Sequence, residues 1–156
     1  MGVEIERKFL IRNDSWRSHV ERSQPMRQGY LHRTGNSAIR VRVCGDRAHI
    51  NIKKTEDGIQ RLEYEFDIPL DDARELLERV AIANQIDKTR HEVRFADHLW
   101  EIDEFHGDNA GLIVAEIELK HPDEAFERPE WLGKEVSQDT RYFNSNLIMH
   151  PYNTWQ

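Results

Sequence analysis

A chain of 156 residues is the size of one domain, and 38% hydrophobic residues supply one modest core. Charged residues make up 33% of it and leave a net charge of −7, which excludes a nucleic-acid binder held by a broad basic face but not a small anion met by some of the 22 Lys and Arg gathered in one place. Cys44 is the only cysteine, which rules out an internal disulfide and a thiolate-only zinc site; with no signal-like apolar core and no run near ~18 apolar residues, the expectation is a cytoplasmic protein without a membrane segment.

Strict alternation of apolar and polar residues, the period of a strand, runs through most of the chain. It first covers residues 3–11, and a short helical stretch at 13–21 follows. A brief strand near 26–32 leads to the turn Thr34-Gly35-Asn36. Alternation resumes over 38–44, 48–54 and 61–68, separated by Cys44-Gly45-Asp46 and Glu56-Asp57-Gly58. Residues 71–83 change to helical spacing, with Asp71 as N-cap and Ala73, Leu76, Leu77 and Val80 on one face. Strands return at 88–95, 99–105 and 113–120, with His106-Gly107-Asp108 as a turn before the last. Short helices are expected at 123–126 and 141–149, the latter capped by Ser137 or Asp139. The sum is a single α+β domain over residues 1–156, whose roughly eight antiparallel strands suffice to close a barrel.

Residues i and i+2 of a strand share a face. Sorting by parity gives each strand an apolar row, such as Val3, Ile5, Phe9 and Ile11, or Ile113, Ala115, Ile117 and Leu119. The opposite rows are nearly pure charge: Glu4, Glu6 and Lys8; Arg40 and Arg42; Lys53 beside Asn51; Arg61, Glu63 and Glu65; Lys88 and Arg90; Glu101 and Asp103; Glu116 and Glu118. Alternation alone fits a sheet with one solvated face. Ordinary solvated faces, however, mix Ser, Thr and Gln among their charges, and these rows do not. If the sheet closes with the charged rows inside, the interior must hold water, metal and an anionic ligand, because desolvating one isolated ion costs up to ~20 kcal/mol in the idealised limit.

The first chemical motif is Glu4-Ile5-Glu6-Arg7-Lys8. Two residues of strand rise set Glu4 and Glu6 ~6.8 Å apart on one face. Carboxylates so placed can share Mg²⁺ or Mn²⁺ with phosphate oxygens completing the octahedron. The spacing recurs at Glu63/Glu65, Glu101/Asp103 and Glu116/Glu118; any one pair is commonplace on a surface strand, but four in one small domain are not. Arg40/Arg42 and Lys88/Arg90 aim paired donors the same way, with Lys53 and Arg61 adding to a set suited to a triphosphate. The eight His show no metal-binding spacing, and no Gly-rich phosphate loop or nucleophile elbow occurs. The four Trp read as packing residues and Cys44 as a turn residue.

These motifs resemble, in order, those of the CYTH superfamily, the triphosphate tunnel metalloenzymes. The resemblance begins at Glu4-Ile5-Glu6-Arg7-Lys8-Phe9-Leu10. It continues through Arg27-Gln28-Gly29-Tyr30-Leu31, Arg40-Val41-Arg42, Ile52-Lys53, Arg61-Leu62-Glu63-Tyr64-Glu65, Lys88-Thr89-Arg90 and Glu101-Ile102-Asp103-Glu104-Phe105. Ala115-Glu116-Ile117-Glu118-Leu119, Glu135-Val136-Ser137 and Arg141-Tyr142-Phe143-Asn144 complete it. It implies a closed eight-stranded antiparallel tunnel with a charged interior and helices packed outside, acting on triphosphates with Mg²⁺ or Mn²⁺.

Carried over by position, Glu4, Glu6, Glu116 and Glu118 resemble the metal-side carboxylates, and Lys8, Arg40, Arg42, Lys53, Lys88 and Arg90 the phosphate-binding cations. Arg61 joins the cations, Glu101 and Asp103 are further tunnel acids, Lys88 is assigned to the transferred phosphoryl group, and Glu63 or Glu65 to the attacking water. His91 departs from the family pattern, which often has Tyr there; parity points it outward. The compact chain looks most like the bacterial inorganic triphosphatases, and the expected partner is a small-molecule triphosphate, with no nucleic acid, no membrane and a homodimer allowed. A class IV adenylyl cyclase, a thiamine or nucleoside triphosphatase, and a non-catalytic polyphosphate- or nucleotide-binding module stand as alternatives.

Overall fold

The computed structural model describes residues 2–155, with the backbone alone at Asp57. The alternating segments become strands β1 (Gly2–Ile11), β2 (Val20–Thr34), β3 (Ser37–Cys44), β4 (Arg47–Asp57), β5 (Gln60–Asp67), β6 (Ile82–Phe95), β7 (His98–Phe105) and β8 (Ile113–Leu119), and an unexpected strand follows, β9 (Leu132–Glu135). Two α-helices, α1 (Leu70–Arg79) and α2 (Asn144–Leu147), punctuate them. Neighbours run β5-β4-β3-β2-β6-β7-β8-β1, all antiparallel, and β1 then pairs with β5. That last pairing closes eight strands into a barrel and removes both sheet edges.

β1 is the keystone. Its residues Gly2 to Ile5 pair with β5, and Ile5 to Leu10 pair with β8. Phe9 and Ile11 pair with β9, the ninth strand. The apolar rows face outward and are covered over much of their length, though Val3, Ile52 and Phe66 stay exposed. Ile5, Phe9, Trp100, Ile102 and Ile117 pack beneath Trp16, Trp131 and Leu132. α1 lays Ala73 and Leu77 on Val41 and Ala48. On inward-facing rows, Ile86, Phe105 and Val114 meet Leu147 and Ile148, so the C-terminal segment closes the interior on that side.

Several boundaries differ from expectation. β2 is 15 residues long, and its first half carries Pro25; before Arg27 the strand bonds to β6 but not yet to β3, so a proline there interrupts one ladder, not two. α1 ends at Arg79, starts after Pro69 rather than at an Asp71 cap, and leaves Asp71 in its first turn. β6 therefore begins at Ile82, with Ala83 in the left-handed region at φ 53°. Residues 123–126 form no helix; Phe126 instead stacks edge-on to Phe9 and Trp100. Residues 13–21 hold a 3₁₀ turn, Ser15–His19, and the start of β2 in place of the expected helix. The expected last helix divides into a 3₁₀ turn, Thr140–Tyr142, capped by the Asp139 side chain, and α2. Among the described residues no helix is long and apolar enough to cross a membrane.

Candidate active site

The charged rows line the inside of the barrel, around a cavity of about 420 Å³, within the ~300–1,000 Å³ of small-molecule sites. Strand order sorts their charges. Glu101 on β7, Glu116 and Glu118 on β8, Glu4 and Glu6 on β1 and Glu63 on β5 form a continuous acidic arc. Lys53 on β4, Arg40 and Arg42 on β3, and Lys88 and Arg90 on β6 form the basic arc opposite. Lys8 and Arg61 are the cations set within the acidic arc, with Lys8 opposite Glu116 and Arg61 opposite Glu4 in register. The antiparallel pairing also sets Glu6 directly opposite Glu118.

Ion pairs stitch the two arcs where they meet. At one seam Asp103 is gripped by Arg90 through two bonds of 2.8 and 2.9 Å and by Lys88 at 2.7 Å. Arg90 also reaches Glu116 at 3.2 Å and Glu101 at 3.4 Å. At the other seam Lys53 lies 3.6 Å from Glu63 and 4.0 Å from Glu4, and Arg61 lies 3.5 Å from Glu6. Two buried amides complete the wall: Asn51 accepts from Arg40 at 2.9 Å and donates to Glu63 and Glu65, and Gln28 accepts from Arg42 at 2.8 Å.

The crowding shows in the titrations. Burial, with Arg90 and Arg42 beside it, pushes Lys88 down to about 7 even though Asp103 pulls the other way. Asp103 sits at about 2: burial alone would raise it, but Arg90 and Lys88 outweigh burial. The pair itself raises Lys88 and lowers Asp103; Lys88 nevertheless ends low because burial, with Arg90 and Arg42 beside it, outweighs the one carboxylate it meets. Burial and Arg40 push Lys53 well below the usual lysine range. Glu101 is raised by burial, with Glu116 and Asp103 adding to it against Arg90. Burial would also raise Glu6, but a hydrogen bond with Glu116 and the charges of Arg61 and Lys53 leave it below the ordinary carboxylate range.

The residues present fit a hard divalent cation. The acidic arc offers carboxylate oxygens as its ligand atoms, and Glu6 stands directly opposite Glu118, with Glu116 two residues away on the same strand, a crowding of like charges that a cation between them relieves. Among the described residues no three acids or histidines already enclose an ion. Mg²⁺-type sites need no such cage, since one or two carboxylates plus substrate phosphates and waters suffice.

Of the residues singled out from the sequence, Glu4, Glu6, Lys8, Arg40, Arg42, Lys53, Arg61, Glu63, Lys88, Arg90, Glu101, Glu116 and Glu118 all line the cavity. Two do not. Glu65 is half-exposed beyond Asn51 and pairs with His49 at 3.5 Å. Asp103 is buried behind the cations it holds. His91 does point outward, bonded to Ser23 and Glu104 with its ring 5.2 Å from Trp16. The sequence reading missed Arg33, Asn144 and Asn146 on the cavity wall, and the roles of Gln28 and Asn51 behind it. Phe143 was also missed; its ring lies 5.4 Å from the Lys8 ammonium and 5.7 Å from the Arg61 guanidinium.

The CYTH domain family model matches residues 2–152. The chain is 42% identical over 156 residues to an inorganic triphosphatase of Acetivibrio thermocellus, covering all of this chain and 99% of that protein. It is 35% identical over 151 residues to an inorganic triphosphatase of Nitrosomonas europaea, covering 94% and 97%. The crystal structure of the inorganic triphosphatase NE1496 superimposes with a TM-score of 0.68 at 32% identity, covering 96% of each chain.

Proposed function

Because the chain belongs to the CYTH domain family, we propose that it is a divalent-metal-dependent inorganic triphosphatase, hydrolysing triphosphate to diphosphate and phosphate inside the barrel. The observation that carries this reading is the division of one cavity of about 420 Å³, inside a closed barrel, into an acidic and a basic arc. A simple anion-binding module would be served by a basic lining alone. A cation site facing an anion site is what a metal-assisted reaction on a polyphosphate requires.

Glu4, Glu6, Glu116 and Glu118 would hold the ion, Mg²⁺ or Mn²⁺. Bound there, it supplies charge neutralisation across the phosphate oxygens. Lys8, Arg40, Arg42, Lys53, Arg61 and Arg90 grip the phosphate chain and hold the scissile bond in line. Lys88 donates to the transferred phosphoryl group; its compact ammonium suits a single oxygen rather than a two-pronged grip. The attacking water gives its proton to a carboxylate of the acidic arc. Glu63 lines the cavity, and Glu101, its carboxyl raised by burial, is the other candidate.

Steady-state assays with inorganic triphosphate, ATP and thiamine triphosphate, each with Mg²⁺, with Mn²⁺ and with chelator, test the reading. Metal-dependent turnover of inorganic triphosphate in preference to both organic substrates is expected. Preference for ATP or thiamine triphosphate would move the chain to another activity, and binding without turnover would make it a module.

A further inference from the structure

Apart from Lys8, which donates to the Tyr142 backbone carbonyl at 3.2 Å, the tunnel cations fall into two groups according to what holds them. Lys53, Arg61, Lys88 and Arg90 are held by carboxylates. Arg33, Arg40 and Arg42 are held by neutral amides: Arg33 donates to the Asn146 side-chain oxygen, Arg40 to that of Asn51 at 2.9 Å and Arg42 to that of Gln28 at 2.8 Å. Among the described residues none of these three arginines forms an ion pair with a carboxylate. All three sit on the neighbouring strands β2 and β3, running from the cavity mouth at the β2–β3 turn to the interior.

We propose that Gln28, Asn51 and Asn146 are positioning residues that orient these arginines without cancelling their charge, so that Arg33, Arg40 and Arg42 form the track that first captures a polyphosphate. This rests on the reading of the tunnel as a triphosphate site. A carboxylate in place of each amide would make a stronger, charge-assisted hydrogen bond in the empty protein. It would also neutralise the guanidinium before the anion arrives. A buried amide fixes the planar fork at the cost of leaving a charge uncompensated. Gln28 and Asn51 are both fully buried, and Arg40 and Arg42 are more than nine-tenths buried. The Arg40 Nε is buried without any partner, a donor held ready for a ligand oxygen. The Arg42 guanidinium is pushed below its usual range by burial, then by Arg40 and Arg90, as an uncompensated charge would be.

The hydrogen bonds fix the sense of each amide. Asn51 turns its oxygen to Arg40 and its nitrogen to Glu63 and Glu65 at 2.7 and 3.0 Å. Gln28 turns its oxygen to Arg42 and its nitrogen to Asn144, whose oxygen also receives Lys88 at 3.4 Å. Gln28 thereby links the free track to the carboxylate-held group through the C-terminal segment.

The test compares Gln28→Glu, which keeps shape and orientation but cancels charge, with Gln28→Ala, which loses orientation but keeps charge. KM for inorganic triphosphate is measured with saturating metal, and the shift in melting temperature on adding inorganic triphosphate is measured with metal chelated. We expect Gln28→Glu to raise KM about tenfold or more, which is about 1.4 kcal/mol of binding, with a larger rise than Gln28→Ala. Its melting shift should be smaller than that of either wild type or Gln28→Ala. Asn146→Asp, at the cavity mouth where folding is less at stake, repeats the comparison and should also raise KM. A KM for Gln28→Glu within about twofold of wild type, or no higher than for Gln28→Ala, overturns the proposal and leaves the amides as packing. Should wild-type protein show neither turnover nor a melting shift with triphosphate, the reading of the tunnel itself fails, which is a separate outcome.

Discussion

At the scale of single residues, Lys88 carries the clearest consequence of the crowded basic arc. Its ammonium is buried and pushed down to about 7, whereas an unfolded lysine titrates near ~10.4. Between those values the unfolded chain binds a proton that the folded protein does not. Stability from this group therefore rises with pH from about 7 toward ~10.4, and is flat below both values. Between pH 7 and 9, wild type should gain on the order of 1–3 kcal/mol relative to Lys88→Met. Urea unfolding at the two pH values checks this; identical pH profiles for the two proteins would remove the strain from Lys88. Parity grouped the charged residues of the wall into rows, and the near absence of Ser, Thr and Gln among them was the argument for turning those rows inward. The amides were not legible, since Gln and Asn on a strand look like solvated positions. Arg33 was hidden for a different reason: the irregularity between Tyr30 and His32 shifts the register of β2, so inward parity changes from even to odd. Glu65 has the right parity but lies too far along its strand.

At the scale of elements, β9 was invisible because its four residues, Leu-Gly-Lys-Glu, show no alternation worth the name. Its pairing with β1 instead depends on the close approach that Gly133 allows. A Cβ built there would stand 2.8 Å from the Leu10 carbonyl oxygen, a backbone atom fixed by the barrel. Gly29 is also tight, but its nearest clash, at 2.9 Å, is the end of the Leu77 side chain, which can turn aside. Gly133→Ala should therefore cost about 1–3 kcal/mol, the scale of overpacking, and more than Gly29→Ala. Urea unfolding of the two variants decides it, and the reverse order would contradict the account. The helix expected at 123–126 failed because Phe126 is committed to the outer aromatic cluster with Phe9 and Trp100. β6 was read six residues short because α1 stops early and residues 82–87 have no strict alternation.

At the scale of the whole molecule, the net charge of −7 hides an interior where cations and carboxylates are segregated by strand order. The number of barrel strands was readable from turns and alternation. The closure was only arguable, from the absence of diluting Ser and Thr in the charged rows. What no sequence pattern revealed is the order β5-β4-β3-β2-β6-β7-β8-β1, and that order alone gathers the four acidic strands on one side. The account's central claim is that this acidic side holds the metal while the basic side holds the phosphates. Glu6 stands at its centre, opposite Glu118 and beside Glu116. The direct test is the rate of orthophosphate release from inorganic triphosphate under saturating divalent metal, for wild type and for Glu6→Gln with its fold verified by circular dichroism. The account predicts a fall in kcat of at least ~100-fold, the scale of losing a principal electrostatic contact; near-normal turnover by the folded variant would contradict it.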